Sequence, residues 1–184
     1  MKDDDASVWH RAKSTVRACL NRVLHLMARF MPGGYSLRPF LHRLRGATIG
    51  RGVWIGDDVF LDGAHPEAVE IREGAAILLR SVIVGHTKGA GRVIIEKGAV
   101  IGAGSIIICA SGKTLTIGEC AVVSAGSTVS NNIPPYTLCG PPRIQMFGQI
   151  TVPFLEAATI EEFRRGLRPL EANHERPISS QKPV

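Results

Sequence analysis

The sequence predicts an all-β solenoid, a parallel β-helix, with an amphipathic helix before it and a short helix after it. Three observations carry that prediction. An aliphatic residue returns every six positions at Ile49, Ile55, Leu61, Ile71, Ile77, Ile83, Ile95, Ile101, Ile107, Ile117, Val123 and Val129, with wider steps only after Leu61, Ile83 and Ile107. Four residues after most of them stands a small or β-branched residue: Val53, Val59, Ala75, Ser81, Thr87, Ala99, Ser105, Ala121 and Ser127. Glycine follows directly at Gly50, Gly56, Gly102 and Gly118. Six is three strand periods and does not fit a helix, so the aliphatics mark short strands that meet at corners, with coils about 4.8 Å apart. Inward ladders of Ile and Val follow, each buried side chain contributing ~1.5–3 kcal/mol.

The first predicted element is a helix from Ser7 to Met31. Val8, Trp9, Ala12, Val16, Cys19, Leu20, Val23, Leu24, Met27 and Phe30 recur at helical steps, basic residues take the other faces, and Pro32-Gly33-Gly34 ends it. Its apolar face is expected to cover an open end or flank of the solenoid; a second reading is peripheral contact with a membrane surface. Leu37 to Arg45 is a short basic connector, helical after Pro39. The repeat begins at Ala47. Leu61–Ile71 and Ile107–Ile117 read as one period plus a four-residue insertion, and Ile83–Ile95 as two periods with Gly89 silent, which predicts between four and five three-sided coils. Ile133-Pro134-Pro135 stops the repeat, because proline cannot donate to a ladder. A capping box of Thr159 and Glu162 predicts a last helix to about Leu167, followed by a polar, mobile tail. The expected division is 1–46 helix and connector, 47–144 solenoid, and 145–184 helix and tail.

Residues 1–46 hold nine Lys and Arg against three Asp, the whole of the net charge of +6. The repeat is therefore near neutral, which argues against a nucleic-acid surface. The four cysteines, Cys19, Cys109, Cys120 and Cys139, form no CxxC pair; reduced thiols and a cytoplasmic protein are expected. The start has no positive n-region of a signal peptide, and no stretch reaches the ~20 apolar residues of a membrane span.

His86 is the candidate catalytic residue. It interrupts the repeat in a Gly-rich stretch, Val84 to Arg92, with room for a ligand and with Asp62, Glu67 and Glu70 as carboxylates that could fix its tautomer. If the insertions bulge without changing phase, Leu61, Ile83, Ile101 and Val123 share one side. One edge would then carry Asp62, His86, Gly102-Ala103-Gly104 and Ser124-Ala125-Gly126 in a column, the small steps offering bare backbone to an extended ligand. Lys88 and Lys113 are loop cations suited to phosphate.

The run Gly85-His86, Arg92 to Ser105, Thr116 to Val129, Ile133-Pro134-Pro135-Tyr136 and Gly140-Pro141-Pro142-Arg143 resembles the hexapeptide-repeat acyltransferases, nearest the maltose, galactoside and polysaccharide O-acetyltransferase branch. The resemblance covers Ala47 to Ile144. It implies a left-handed β-helix, a homotrimer with clefts between subunits, and acetyl-CoA as donor of an acetyl group to a hydroxyl of a sugar or glycan. It implies His86 as the general base, Asp62 near the acceptor, and Ala103, Ala125, Ser130, Asn131 and Arg143 at coenzyme A. No metal is implied. The loop after His86 is shorter than in the maltose and galactoside enzymes, so an open site suited to a large or lipid-linked acceptor is expected. Two alternatives stand beside it: a non-catalytic assembly solenoid, and a γ-type carbonic anhydrase, which needs about three histidines where the repeat has His65 and His86.

Overall fold

The computed structural model describes residues 15–87, 89–142, 149–153 and 155–169. The predicted first turns of the N-terminal helix, Lys88, Arg143 and the predicted mobile tail lie outside the described residues. The chain forms two compact units, Met1–Pro141 and Pro142–Val184.

In the first unit, helices α1 (Thr15–Phe30) and α2 (Leu37–Arg45) precede four coils of three strands each. The first coil holds β1 (Thr48–Ile49), β2 (Trp54–Ile55) and β3 (Phe60–Leu61), and the second β4 (Val69–Ile71), β5 (Ala76–Ile77) and β6 (Val82–Val84). The third holds β7 (Arg92–Ile95), β8 (Val100–Ile101) and β9 (Ile106–Ile108), and the fourth β10 (Thr114–Ile117), β11 (Val122–Val123) and β12 (Thr128–Val129). Equivalent strands pair in parallel into three faces, β1-β4-β7-β10, β2-β5-β8-β11 and β3-β6-β9-β12, and β13 (Leu138–Cys139) adds a rung to the second face. The ladders are in register. Ile49, Ile71, Ile95 and Ile117 line the first face, Ile55, Ile77, Ile101 and Val123 the second, and Leu61, Ile83, Ile107 and Val129 the third. All are buried.

This register corrects the predicted phase. Ile95 pairs with Ile71, so Ile83–Ile95 is one period plus a six-residue insertion, not two periods. The stretch from Gly85 to Gly91 has no side chain at its glycines to bury and folds back on itself: a Cβ on Gly91 would lie 2.4 Å from the Gly85 carbonyl oxygen. It makes a loop where a coil side was expected. All three wide steps therefore fall at one corner, where the chain turns from the third face to the first. The other two corners are tight and repeat a left-handed backbone position, Gly52, Gly74, Gly98 and Cys120 at one, and Asp58, Arg80, Gly104 and Gly126 at the other.

The cap is also arranged differently from the expectation. In the later coils each ladder carbonyl accepts a hydrogen bond from the coil before: Ile71 O from Gly50 N at 2.7 Å, Ile77 O from Gly56 N and Ile83 O from Asp62 N, both at 2.8 Å. The first coil has no coil beneath it. Three arginines of α2 supply the donors instead, one to each face. Arg43 Nε donates to Ile49 O at 2.9 Å, Arg38 Nη1 to Ile55 O at 3.1 Å and Arg45 Nη2 to Leu61 O at 3.0 Å. Hydrogen bonds from charged donors contribute ~1.5–3 kcal/mol each, and they blunt a sheet edge that would otherwise be free to pair.

Helix α1 covers this end with its polar side. Asn21 Nδ2 donates to Gly63 O at 2.9 Å, Arg29 pairs with Asp58, and the His25 ring packs on Phe60 with centroids 4.6 Å apart. Leu20, Val23, Met27 and Phe30 face outward. The apolar face thus does not seat the helix, because the first coil presents carbonyl oxygens and carboxylates, which polar donors satisfy and aliphatic groups cannot.

The second unit pairs β14 (Gln149–Ile150) antiparallel with β15 (Leu167–Arg168), around α3 (Ile160–Arg165). Thr159 Oγ1 accepts from Glu162 N at 3.2 Å as the capping box predicts, while the Glu162 carboxylate accepts from Ala158 N at 2.8 Å. The helix stops at Gly166, short of the expected Leu167, which pairs with Ile150.

Candidate active site

The corner between the third and first faces carries a column of loops. From the first coil to the last they are residues 62–68, 85–91, 109–113 and 130–132. Loops two and three stack through Gly112 N to Ala90 O at 2.5 Å and Cys109 N to Val84 O at 3.0 Å. An open cleft of about 450 Å³ at this corner is lined by Glu67, Ala68, Gly91, Arg92, Lys113 and Thr114, among others.

Asp62 and His86 are the centre of the column. Asp62 leaves β3 at the point where the carbonyls of Leu61 and Asp62 are held by Arg45 Nη2, at 3.0 and 2.7 Å. Its carboxylate is buried and fully engaged. Oδ1 accepts from the backbone N–H of Ala64 at 3.1 Å and of His65 at 2.8 Å; Oδ2 accepts from Gly85 N at 3.0 Å and His86 N at 3.2 Å. His86 Nδ1 lies 2.6 Å from Oδ2. A carboxylate surrounded by N–H donors acts only as an acceptor, so Nδ1 carries the proton and donates, and the lone pair of Nε2 is left free. The His86 side chain is 27 % exposed against 0 % for Asp62, so a molecule in solution can reach the imidazole and not the carboxylate.

Both Asp62 oxygens are occupied and neither faces solvent, and Oδ2 holds His86 Nδ1, an arrangement that orients the imidazole. Glu67 and Glu70, the other carboxylates weighed for that task, are engaged elsewhere. Glu67 Oε1 lies 3.2 Å from His65 Nδ1, and Glu70 binds Arg72 Nε at 2.9 Å and Arg92 Nη2 at 2.5 Å. The Arg72 hydrogen bond holds the Glu70 carboxyl below the usual carboxylate range.

Gly85 is required here by space. A Cβ would lie 2.6 Å from Ala68 Cβ and 2.8 Å from Ala68 O, so the second loop rests its backbone directly on the turn Pro66–Ala68. The His65 ring meets the His86 ring edge to face with centroids 4.5 Å apart. The sequence signal for His65 is a histidine inside the insertion next to Asp62.

Of the other expected residues, Ser130 and Asn131 follow β12 and so belong to the His86 corner, two coils along, and Lys113 lines its cleft. Ala103 and Ala125 do not. They follow β8 and β11, at the corner between the second and third faces, where Gly126 N donates to Ala103 O at 2.9 Å. The predicted single column of Asp62, His86, Ala103 and Ala125 is therefore two columns, because the loop at His86 was counted as a coil side. Arg143 and Lys88 lie outside the described residues.

A second buried cluster adjoins the dyad. Arg45 Nη1 donates to His42 Nδ1 at 2.8 Å and Arg45 Nε to Asn21 Oδ1 at 2.9 Å. Burial, then the neighbouring Arg45, lower His42 to about 3; burial and the charges of Arg45, Arg29 and Arg22 lower His25 to about 4. Both rings are neutral near pH 7. His25 Nε2 and His42 Nε2 are buried without a hydrogen-bond partner.

No family model matches the chain. A stretch of 57 residues, 30% of the chain, is 47% identical to the dTDP-3-amino-3,6-dideoxy-alpha-D-galactopyranose 3-N-acetyltransferase of Aneurinibacillus thermoaerophilus and spans 28% of that enzyme. Among solved structures, the serine acetyltransferase of Neisseria gonorrhoeae in complex with serine is 22% identical, with a TM-score of 0.44 over 66% of this chain and 52% of that one. The serine acetyltransferase of Brucella abortus in complex with coenzyme A is 22% identical, with a TM-score of 0.38 over 68% and 52%. The chain thus spans about half the length of these solved chains. The curated relative is an acetyltransferase, in line with the resemblance read from the sequence, and it does not single out a branch. The chain carries a hexapeptide-repeat β-solenoid, and the proteins it is similar to are acetyltransferases.

Proposed function

We propose that this protein transfers the acetyl group of acetyl-CoA to a hydroxyl of a sugar or glycan. The single observation that carries the chemistry is the His86–Asp62 pair at 2.6 Å. Nε2 takes the proton of the acceptor hydroxyl while its oxygen attacks the thioester carbonyl. The imidazolium that forms is stabilised by the Asp62 carboxylate, and it returns the proton to the departing thiolate. General-base assistance of this kind contributes ~10²–10⁴-fold. Backbone N–H groups of the loop column would stabilise the oxyanion.

The acceptor class rests on the sugar specificity in the name of the curated relative and on the open corner. That relative acetylates a nitrogen, so an amino sugar is the second reading; there the base removes the proton after attack. Coenzyme A would be held by Ala103, Ala125, Ser130, Asn131 and Arg143. Since Ala103 and Ala125 stand at a different corner from His86, one ligand touching both sets is best met by two neighbouring subunits of a homotrimer. The second face supports self-association: its outward register positions are Trp54, Ala76, Val100, Val122 and Leu138, apolar throughout, and a sheet apolar on both sides needs covering. Release of coenzyme A thiol from acetyl-CoA, measured across sugars, nucleotide-sugars and lipid-linked glycans with free hydroxyl or amino groups, tests the proposal. Absence of acceptor-dependent release from all of them overturns it.

A further inference from the structure

We propose that the N-terminal helical cap docks this protein onto an anionic membrane surface. The inference goes beyond acetyl transfer and stands without it. It begins from an inversion. In α1 the residues turned to the solenoid are Asn21, His25, Ala28 and Arg29, whereas Leu20, Val23 and Phe30 are 57%, 53% and 66% exposed. In α2, Arg38, His42 and Arg45 are buried together with Pro39 and Leu41, while Phe40 and Leu44 are exposed. A helix that only capped the solenoid would place polar side chains in water. These helices instead present Leu20, Val23, Met27 and Phe30, at steps of three and four, as one apolar stripe.

Charge decides between occupants. Residues 15–45 contain six arginines and no Asp or Glu. Four of them, Arg29, Arg38, Arg43 and Arg45, are bound to the first coil, and exposed Arg22 flanks the stripe, roughly 120° from its centre on a helical projection. A second copy would bring helices that carry no carboxylate in residues 15–45 against the same helices. An anionic surface complements them: aliphatic and aromatic side chains enter the acyl boundary, and the flanking Arg22 reaches phosphate head groups. Helix α1 has 16 described residues, and among the described residues no helix is long and apolar enough to cross a membrane, so it lies in the interface plane.

The test is co-sedimentation of the full chain with vesicles of phosphatidylcholine alone and of phosphatidylcholine mixed with phosphatidylglycerol, at low and high salt. Binding to the mixed vesicles is expected, weakened by salt and reduced roughly tenfold by the double variant Val23→Glu, Phe30→Glu. Both positions are exposed, and an unchanged circular dichroism spectrum shows that the variant is folded. Equal binding to neutral vesicles, or none to either, overturns the proposal. So does a variant that changes the sedimentation mass of the free protein while vesicle binding is absent, which assigns the stripe to contact between copies.

Discussion

Arg45, at the end of α2, donates to the main-chain carbonyl of Asp62 at 2.7 Å, and so grips the residue whose carboxylate orients His86. The same guanidinium holds Leu61 O, Asn21 and His42. The cap of the solenoid and the candidate dyad therefore share one cation. Arg45→Met leaves two carbonyls and His42 Nδ1 without donors, at a cost of about 3 kcal/mol, and is expected to lower turnover more than acetyl-CoA affinity. Chemical denaturation together with the separate kcat and KM values checks this; a variant with native stability and native kcat contradicts it.

His86→Ala is expected to reduce turnover on the order of a hundredfold or more and to leave the melting temperature close to native, since the ring is partly exposed. Steady-state rates and calorimetry on the same preparation decide it. Full activity in this variant removes His86 from the mechanism.

Asp62→Asn replaces an acceptor surrounded by donors with a group that is half donor, so it should cost ~1–3 kcal/mol of stability. If Asp62 acts on turnover through His86, the losses are not additive. In a His86→Ala background, Asp62→Asn should have almost no further effect on kcat, and a double-mutant cycle measures this directly. Additive losses would give Asp62 a role of its own.

Stability should fall on acidification, and first at the cap. His25 and His42 are lowered to about 4 and about 3 in the folded protein, whereas in the unfolded chain each titrates near 6.5. The unfolded state therefore binds more protons below that value. The stabilising contribution is complete above about pH 6.5 and is lost as pH falls from there toward 4 and 3, at ~1.4 kcal/mol per pH unit for each group when fully coupled. Denaturant midpoints between pH 7.5 and 4.5 check this, and His42→Leu should flatten the slope.

Gly85→Ala places a methyl group against Ala68 Cβ and O. The second loop must lift, at ~1–3 kcal/mol, and carry His86 away from Asp62. Loss of activity with the solenoid retained by circular dichroism is the expected outcome.

The ladder was legible because burial on a repeating coil imposes one rule at every sixth position, and Ile49 to Val129 obey it. His86 was legible because it stands where that rule breaks, and Asp62 because it precedes the first insertion. The phase failed at Ile83–Ile95, where twelve residues fit two coil sides as well as one side plus a loop; only the pairing of Ile95 with Ile71 separates them. Ala103 and Ala125 were displaced by the same ambiguity. The helix stripe was legible as apolar, and of its two expected uses the covering of the solenoid fails, because periodicity records that one side of a helix differs from the other and says nothing about what the neighbour offers. Carbonyl oxygens at the open coil required donors, and Arg38, Arg43 and Arg45 of the basic connector supply them.

Stacking every insertion at one corner makes the solenoid a ruler. Coils repeat at about 4.8 Å, so anchor points on the four loops stand at fixed multiples of that spacing, set by the ladders and independent of loop length. A long, flexible molecule laid along the corner is measured in those steps. Under the proposed function, exchanging the loop at residues 109–113 should change which acceptor is taken while the ladder spacing remains.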